Sequence, residues 1–160
     1  MPDCHTGRVP VSRNASDRRV VPAAAAEVFE LLATPARHPV VDGSGTVTDV
    51  QERTPERLSP GARFGMRMHW GLRYKILNEV VEFEEGRRIA WRHFGGHVWR
   101  WVLVPVDEHR TEVVEEFDAS TSRAPLVLRL MRAGRRNQRS IEQTLDRLAE
   151  WARTRDQPAG

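Results

Sequence analysis

Towards the end of the chain, Val127, Met131, Gly134, Gln138, Ile141, Leu145, Leu148 and Ala152 recur at alternating steps of four and three. That spacing gathers side chains on one side of an α-helix, so residues 125–153 are expected to form one long helix whose stripe must be covered. The stripe is uneven. Ile141, Leu145 and Leu148 offer bulk, whereas Gly134 offers none and Gln138 ends in a polar amide. Glycine costs about 1 kcal/mol relative to alanine inside a helix. Its place on a stripe that should be buried therefore implies one of two things: a space beneath Gly134, or a kink or break between two shorter helices.

The covering surface is legible upstream, where the period changes from helical to two. Phe64, Met66, Met68 and Trp70 alternate with Arg63, Gly65, Arg67 and His69 in the cleanest strand of the sequence. Similar runs are expected over residues 47–52, 74–84, 88–93, 98–106 and 111–119, separated by short turn segments such as Glu85-Gly86-Arg87 and Phe94-Gly95-Gly96. Short connections between successive strands imply an antiparallel meander. Ahead of it come a strand within residues 14–21 and a helix over 23–33 that begins just after Pro22. A helical turn from Thr34 through His38 follows, ended by Pro39, and then the turn Asp42-Gly43-Ser44-Gly45. The order is strand, one or two short helices, six strands and one long helix.

Such a helix buries its stripe only against a sheet that bends around it, and the imperfect fit leaves a pocket. The element order, with Val21-Pro22-Ala23-Ala24-Ala25-Ala26-Glu27-Val28-Phe29, Asn78-Glu79-Val80-Val81-Glu82-Phe83 and Arg88-Ile89-Ala90-Trp91-Arg92, resembles the START-like helix-grip (SRPBCC) superfamily. More narrowly, it is similar to the bacterial polyketide cyclase/dehydratase and lipid-transport group. The resemblance covers about residues 14–153. It implies an α+β fold in which a curved antiparallel sheet of about seven strands wraps a long C-terminal helix. These motifs are structural and leave activity open.

At 160 residues with 39% hydrophobic content, the chain suits a single domain over 13–155, with a leader at 1–12 and a tail at 156–160. No apolar run approaches the ~20 residues of a membrane span, and a cytoplasmic location is expected. Cys4 is the lone cysteine, so no internal disulfide can form. The formal charge is only +3, and all basic residues but Lys75 are arginines spread along the chain. The densest group, Arg129, Arg132, Arg135, Arg136 and Arg139, reads as a solvated helix face, so no nucleic-acid partner is expected. Composition leaves the oligomeric state open.

Within the meander, Trp99, Trp101 and Leu103 share one face of their strand, and Val113, Glu115 and Phe117 share one face of the next. With the aromatic faces inward, Glu115 sits beside rings, where an ionised carboxylate is costly unless paired. Either its pKa rises or Arg67 or Arg92 approaches it; a register one residue off would instead turn it to solvent. The expected lining is Met66, Met68, Trp70, Tyr74, Trp99 and Trp101, together with Phe117, Met131 and Gly134. Glu115, His69 and Tyr74 are candidates for moving protons. His38, Asp42 and Ser44 suggest a triad, but no nucleophile elbow accompanies them and a turn is the simpler reading. His93 and His97 lack further ligands at metal spacing, and the glycines form no nucleotide-binding pattern, so neither metal nor cofactor is expected. Three functions stay open. They are binding of a hydrophobic or aromatic small molecule, lipid- or polyketide-like; cofactor-independent cyclase, aromatase or dehydratase chemistry in the same cavity, as the resemblance implies; and regulation through an exposed apolar patch.

Overall fold

A computed structural model describes residues 15–130 and 132–155. The expectations of a leader at 1–12 and a tail at 156–160, and those for Cys4 and Met131, lie outside the described residues. Seven strands are present: β1 (Ala15–Val21), β2 (Val47–Val50), β3 (Arg63–Trp70), β4 (Leu72–Glu84), β5 (Arg88–His93), β6 (Val98–Asp107) and β7 (Arg110–Asp118). They form one antiparallel sheet in the order β1-β7-β6-β5-β4-β3-β2. Strands β2 to β7 are the expected meander, and β1 pairs with β7 from Ala15 opposite Phe117 to Val21 opposite Thr111. Register shifts at Val80/Glu82 and Pro105/Asp107 mark bulges. A bulge adds a residue to one strand and bends it, which helps the sheet curve towards its helices.

Helix α1 (Ala25–Ala33) is rich in alanine and leucine, and Glu27 Oε2 accepts the backbone N–H of Ala24 at its start. Val28, Phe29, Leu31 and Leu32 are fully buried. A 3-10 turn (Pro35–Arg37) and α2 (His38–Val41) follow. Pro39 does not end this segment as expected. It lies in the first turn of α2, where its missing N–H is not needed by the helix.

Of the two readings left open for the C-terminal stripe, the break between two helices is the observed one. The segment divides into α3 (Pro125–Leu130) and α4 (Ala133–Thr154), and Arg132 just before α4 is left-handed, with φ 49° and ψ 38°. A left-handed residue cannot propagate a right-handed helix. Of the first half of the stripe, Val127 is 51% exposed, and its neighbours Leu126 and Leu130 in α3 are 72% and 84% exposed. In the second half, Ile141, Leu145 and Leu148 are fully buried and join α1 and the inward residues Ile89, Leu103 and Val113 in one core. Gln138 ties α4 to β1, its amide accepting from Ser16 N at 3.1 Å and donating to Ser16 O at 3.2 Å. The turn after α2 presses on the same helix. A methyl group at Gly43 would lie 2.3 Å from the backbone nitrogen of Thr144, and Gly43 N donates to Thr144 Oγ1 at 2.9 Å. The molecule is the α+β helix-grip architecture that the resemblance implies.

Candidate functional site: a cavity between sheet and helix

Each of the three adjacent strands β5, β6 and β7 changes character along its inward face. Ile89, Leu103 and Val113 at one end belong to the core, whereas Trp91 on β5, Trp99 and Trp101 on β6, and Glu115 and Phe117 on β7 lie towards the other. Helix α4 changes in the same sense, because N-terminal to Ile141 it offers Ser140, Asn137 and arginines instead of aliphatic bulk. Where both surfaces lose their filling residues, a cavity of about 770 Å³ remains. Phe64, Met66 and Met68 of β3 and Ile76 and Asn78 of β4 wall one side, and His38, Asp42 and Thr46 another. At the α4 side, Arg136 holds its guanidinium 4.6 Å from the centre of the Trp70 ring.

Two adjacent glutamates on β7 show what the cavity does to charge. Both are 4% exposed. Glu116 faces the outer side, where Arg100 Nη1 donates to its Oε2 at 3.0 Å and Arg100 Nη2 also binds Glu82 Oε1 at 2.6 Å. Glu115 faces the cavity, and no described residue gives its carboxyl a hydrogen bond; Oε2 is buried without a partner. Burial pushes Glu115 well above the usual carboxylate range, and the negative charge of Asp42 adds to the shift. Neither Arg67 nor Arg92 approaches as an ion-pair partner. The aromatics-inward register is the observed one, with Trp101 directly opposite Glu115. The indole Nε1 of Trp101 is likewise buried without a partner.

Across the cavity, His38 stacks on Trp91 at 5.1 Å and meets the edge of Phe64 at 5.9 Å. Burial lowers its pKa, against the opposing influence of its hydrogen bond to Leu32 and the charge of Asp42. Its Nε2 lies 2.8 Å from Leu32 O. A carbonyl oxygen only accepts, so the neutral ring carries its proton on Nε2 and keeps Nδ1 as a lone-pair acceptor. Asp42 is fully engaged as the organiser of its turn, accepting from Ser44 N, Ser44 Oγ, Thr46 N and Val47 N at 2.6 to 3.0 Å. At the far rim His93 and His97 stack at 4.3 Å. Burial and the neighbouring His93 lower His97 to about 4, and burial lowers His93 as well. Among the described residues, no group of three or more His, Cys, Asp or Glu is placed to hold a metal ion.

The sequence profile of the family described as polyketide cyclase/dehydrase and lipid transport matches residues 12–153. The chain belongs to this family. Among curated proteins, an uncharacterized protein of Mycobacterium tuberculosis strain H37Rv is 38% identical over 99 residues, which are 61% of this chain and 44% of that protein. The chain thus matches less than half the length of that relative. Solved structures share the fold at low identity. An Arthrobacter aurescens protein superposes with a TM-score of 0.66 at 15% identity, covering 84% of this chain and 85% of that one. A Mycobacterium smegmatis protein gives 0.61 at 15% identity over 84% and 90%. The di-domain ARO/CYC BexL from the BE-7585A biosynthetic pathway gives 0.61 at 19% identity, covering 85% of this chain and 45% of that one. Among the described residues, no helix is long and apolar enough to cross a membrane.

Within this family fold, the residues expected from sequence are distributed unevenly. Met66, Met68, Trp99, Trp101, Phe117 and Glu115 converge on the cavity. Trp70 and Tyr74 also border it but are 57% and 41% exposed, which puts them at its mouth. His69 does not reach it: the period of two places this residue with exposed Arg67 on the opposite face of β3. Gly134 does not reach it either. It borders a separate groove with Leu128, Arg129 and Arg135, because the left-handed Arg132 redirects the chain just before it. Arg132, Arg135, Arg136 and Arg139 border the cavity instead of forming a purely solvated face. The sequence reading did not gather His38, Asp42, Asn78 and His97 around the cavity. Their signal was present in the His38-to-Ser44 cluster, but nothing local told which distant elements they would meet.

Proposed function

We propose that the protein binds a hydrophobic or aromatic small molecule, lipid- or polyketide-like, in the cavity between the sheet and α4. One observation carries this reading: the interior is left open over about 770 Å³, walled by aromatic rings and methionines where the same sheet and helix are elsewhere tightly packed. Pockets of ~300–1,000 Å³, mostly apolar with a few polar groups, are typical of sites for small molecules. The family description and the ARO/CYC neighbour support the same ligand class. Native mass spectrometry of protein purified without denaturation should reveal a co-purified apolar molecule, or saturable uptake of a neutral dye such as Nile red. Met68→Trp, which adds bulk from a half-buried wall position, should weaken uptake at least tenfold with folding retained. Folded protein that takes up no member of a broad apolar panel would overturn the reading.

A second reading, cyclase or dehydratase chemistry on the same ligand class, is favoured by a specific pairing. A carboxyl held protonated by burial and an imidazole held neutral with Nδ1 free border one cavity. Glu115 would give its proton to a ketone oxygen while His38 Nδ1 takes one from the adjacent carbon, leaving the enol that ring closure requires. Turnover of a synthetic poly-β-ketone, followed by ultraviolet absorbance, should then fall by about a hundredfold or more in Glu115→Gln and in His38→Ala. Equal product formation by wild type and both variants would leave binding alone.

A further inference from the structure

Buried polar groups in this protein are generally provided for. Glu116 has Arg100, Thr144 Oγ1 accepts from Gly43 N and donates to Ser140 O, and Thr111 Oγ1 donates to Ala23 O at 2.8 Å. Two buried side-chain atoms that lack a hydrogen-bond partner belong to one cross-strand pair: Trp101 Nε1 and Glu115 Oε2. Residues directly opposite on antiparallel strands hold their Cβ atoms about 5 Å apart on one face. Both side chains border the cavity, each is 4% exposed, and they form no hydrogen bond to one another. A buried polar atom left unmatched is destabilising, so two beside each other mark a place where something else supplies the partner.

We propose that Trp101 and Glu115 together form a subsite for one carbonyl oxygen of the bound molecule. The proposal rests on the small-molecule reading of the cavity and narrows its ligand class to aromatic or unsaturated ketones. The chemistry of the pair selects that group. An indole N–H can only donate, and a carboxyl that has no cation beside it is a neutral acid with an O–H to give. Two donors call for an oxygen with two lone pairs and no hydrogen of its own, which describes a ketone better than an alcohol. An anionic oxygen fits less well, because it would enter near Asp42, whose negative charge already acts on Glu115. The arginines that could offset an anion belong to the segment around the start of α4 and border the cavity from that side. His38, with Nδ1 as an acceptor on another wall, would favour a second substituent that donates, such as a hydroxyl. The two walls together suit a flat hydroxyketone.

Displacement of Nile red from the full chain by 9-fluorenone and by fluorene tests the subsite, because the two probes share a shape and differ in a C=O against a CH₂. Wild type should bind fluorenone about tenfold more tightly than fluorene. Trp101→Phe and Glu115→Leu should each bring that ratio to within about threefold of one. Glu115→Gln retains an N–H donor and should keep most of the preference, which guards against variants that merely fold poorly. The carbonyl stretch of bound fluorenone should move to lower wavenumber in wild type and return towards its apolar-solvent position in the Phe and Leu variants. Equal affinity for the two probes in wild type, or a ratio and carbonyl band untouched by both substitutions, would overturn the subsite while leaving the cavity as a binding site. Failure of dye and both probes to bind folded protein would overturn the binding reading and the subsite with it.

Discussion

The interior of this protein has a filled end and an open end, built from the same two surfaces. At the filled end, Ile141, Leu145 and Leu148 of α4 share a core with α1 and with Ile89, Leu103 and Val113 of the sheet, and all are 3% exposed or less. At the open end, two to four residues along the same strands, the sheet presents Trp91, Trp99, Trp101 and Glu115, while the helix presents Asn137 and Ser140. The strand pairing does not change between the two ends, since β6 and β7 stay in continuous register from Val98 to Pro105. What changes is whether facing side chains have the volume and polarity to fill the space. The difference teaches that the cavity is specified by residue choice on a common scaffold, not by a separate structural module.

The comparison makes its largest claim at the filled end. Leu145→Ala should destabilise by about 2–5 kcal/mol, the range for removing a fully buried leucine; urea unfolding that shifts by less than ~1 kcal/mol would deny the two ends their distinction. The boundary between the ends is set by the Gly43 turn against α4. Gly43→Ala places a methyl 2.3 Å from the Thr144 backbone nitrogen and should cost roughly 1–3 kcal/mol in the same measurement. It should also alter ligand uptake, because the turn borders the cavity.

Titration sharpens the contrast further. Glu115 has its folded-state pKa raised, so below the ordinary carboxylate pKa both states hold the proton and no stability is lost. As pH rises beyond that value the unfolded chain releases its proton while the folded chain retains it, and stability falls until the folded pKa is reached. Glu115→Gln removes this loss, so the variant should gain on wild type between pH 4 and pH 7 in thermal melts; a gap that stays constant with pH would show that the carboxyl is paired. His97 has the opposite sign. Its folded-state pKa is about 4 against an ordinary 6.5, so its contribution is full above 6.5 and is lost as pH falls towards 4. His97→Gln should flatten that acid limb, and an unchanged limb would place its origin elsewhere. The smallest effect belongs to α3: Leu130, 84% exposed, should tolerate Ala within about 0.5 kcal/mol.

Two periodicities made most of the fold readable before any coordinates. The alternation in Phe64, Met66, Met68 and Trp70 located β3 to the residue, and the spacing of Ile141, Leu145, Leu148 and Ala152 located the packed half of α4. Alternation also set the inward faces of β6 and β7, and so exposed Glu115 as a buried acid. These are local signals, carried by neighbours in the chain, and they survive whatever the rest of the molecule does. The break before α4 was not decided locally: the stripe spacing continued through Met131, and the exposure of Val127, with Leu126 and Leu130 beside it, shows how little of α3 is covered. Gly134 was legible as an anomaly with two readings, a space beneath it or a break between two helices; the break lies just ahead of it at Arg132, and the groove it borders is separate from the cavity. His38 reads locally as part of a turn, because its significance lies in sharing a cavity with Glu115, 77 residues later in the chain. The sequence by itself determined which faces of which elements are apolar. Only the tertiary structure decided where two such faces fail to meet, because an empty volume is a property of the surfaces around it and has no period of its own.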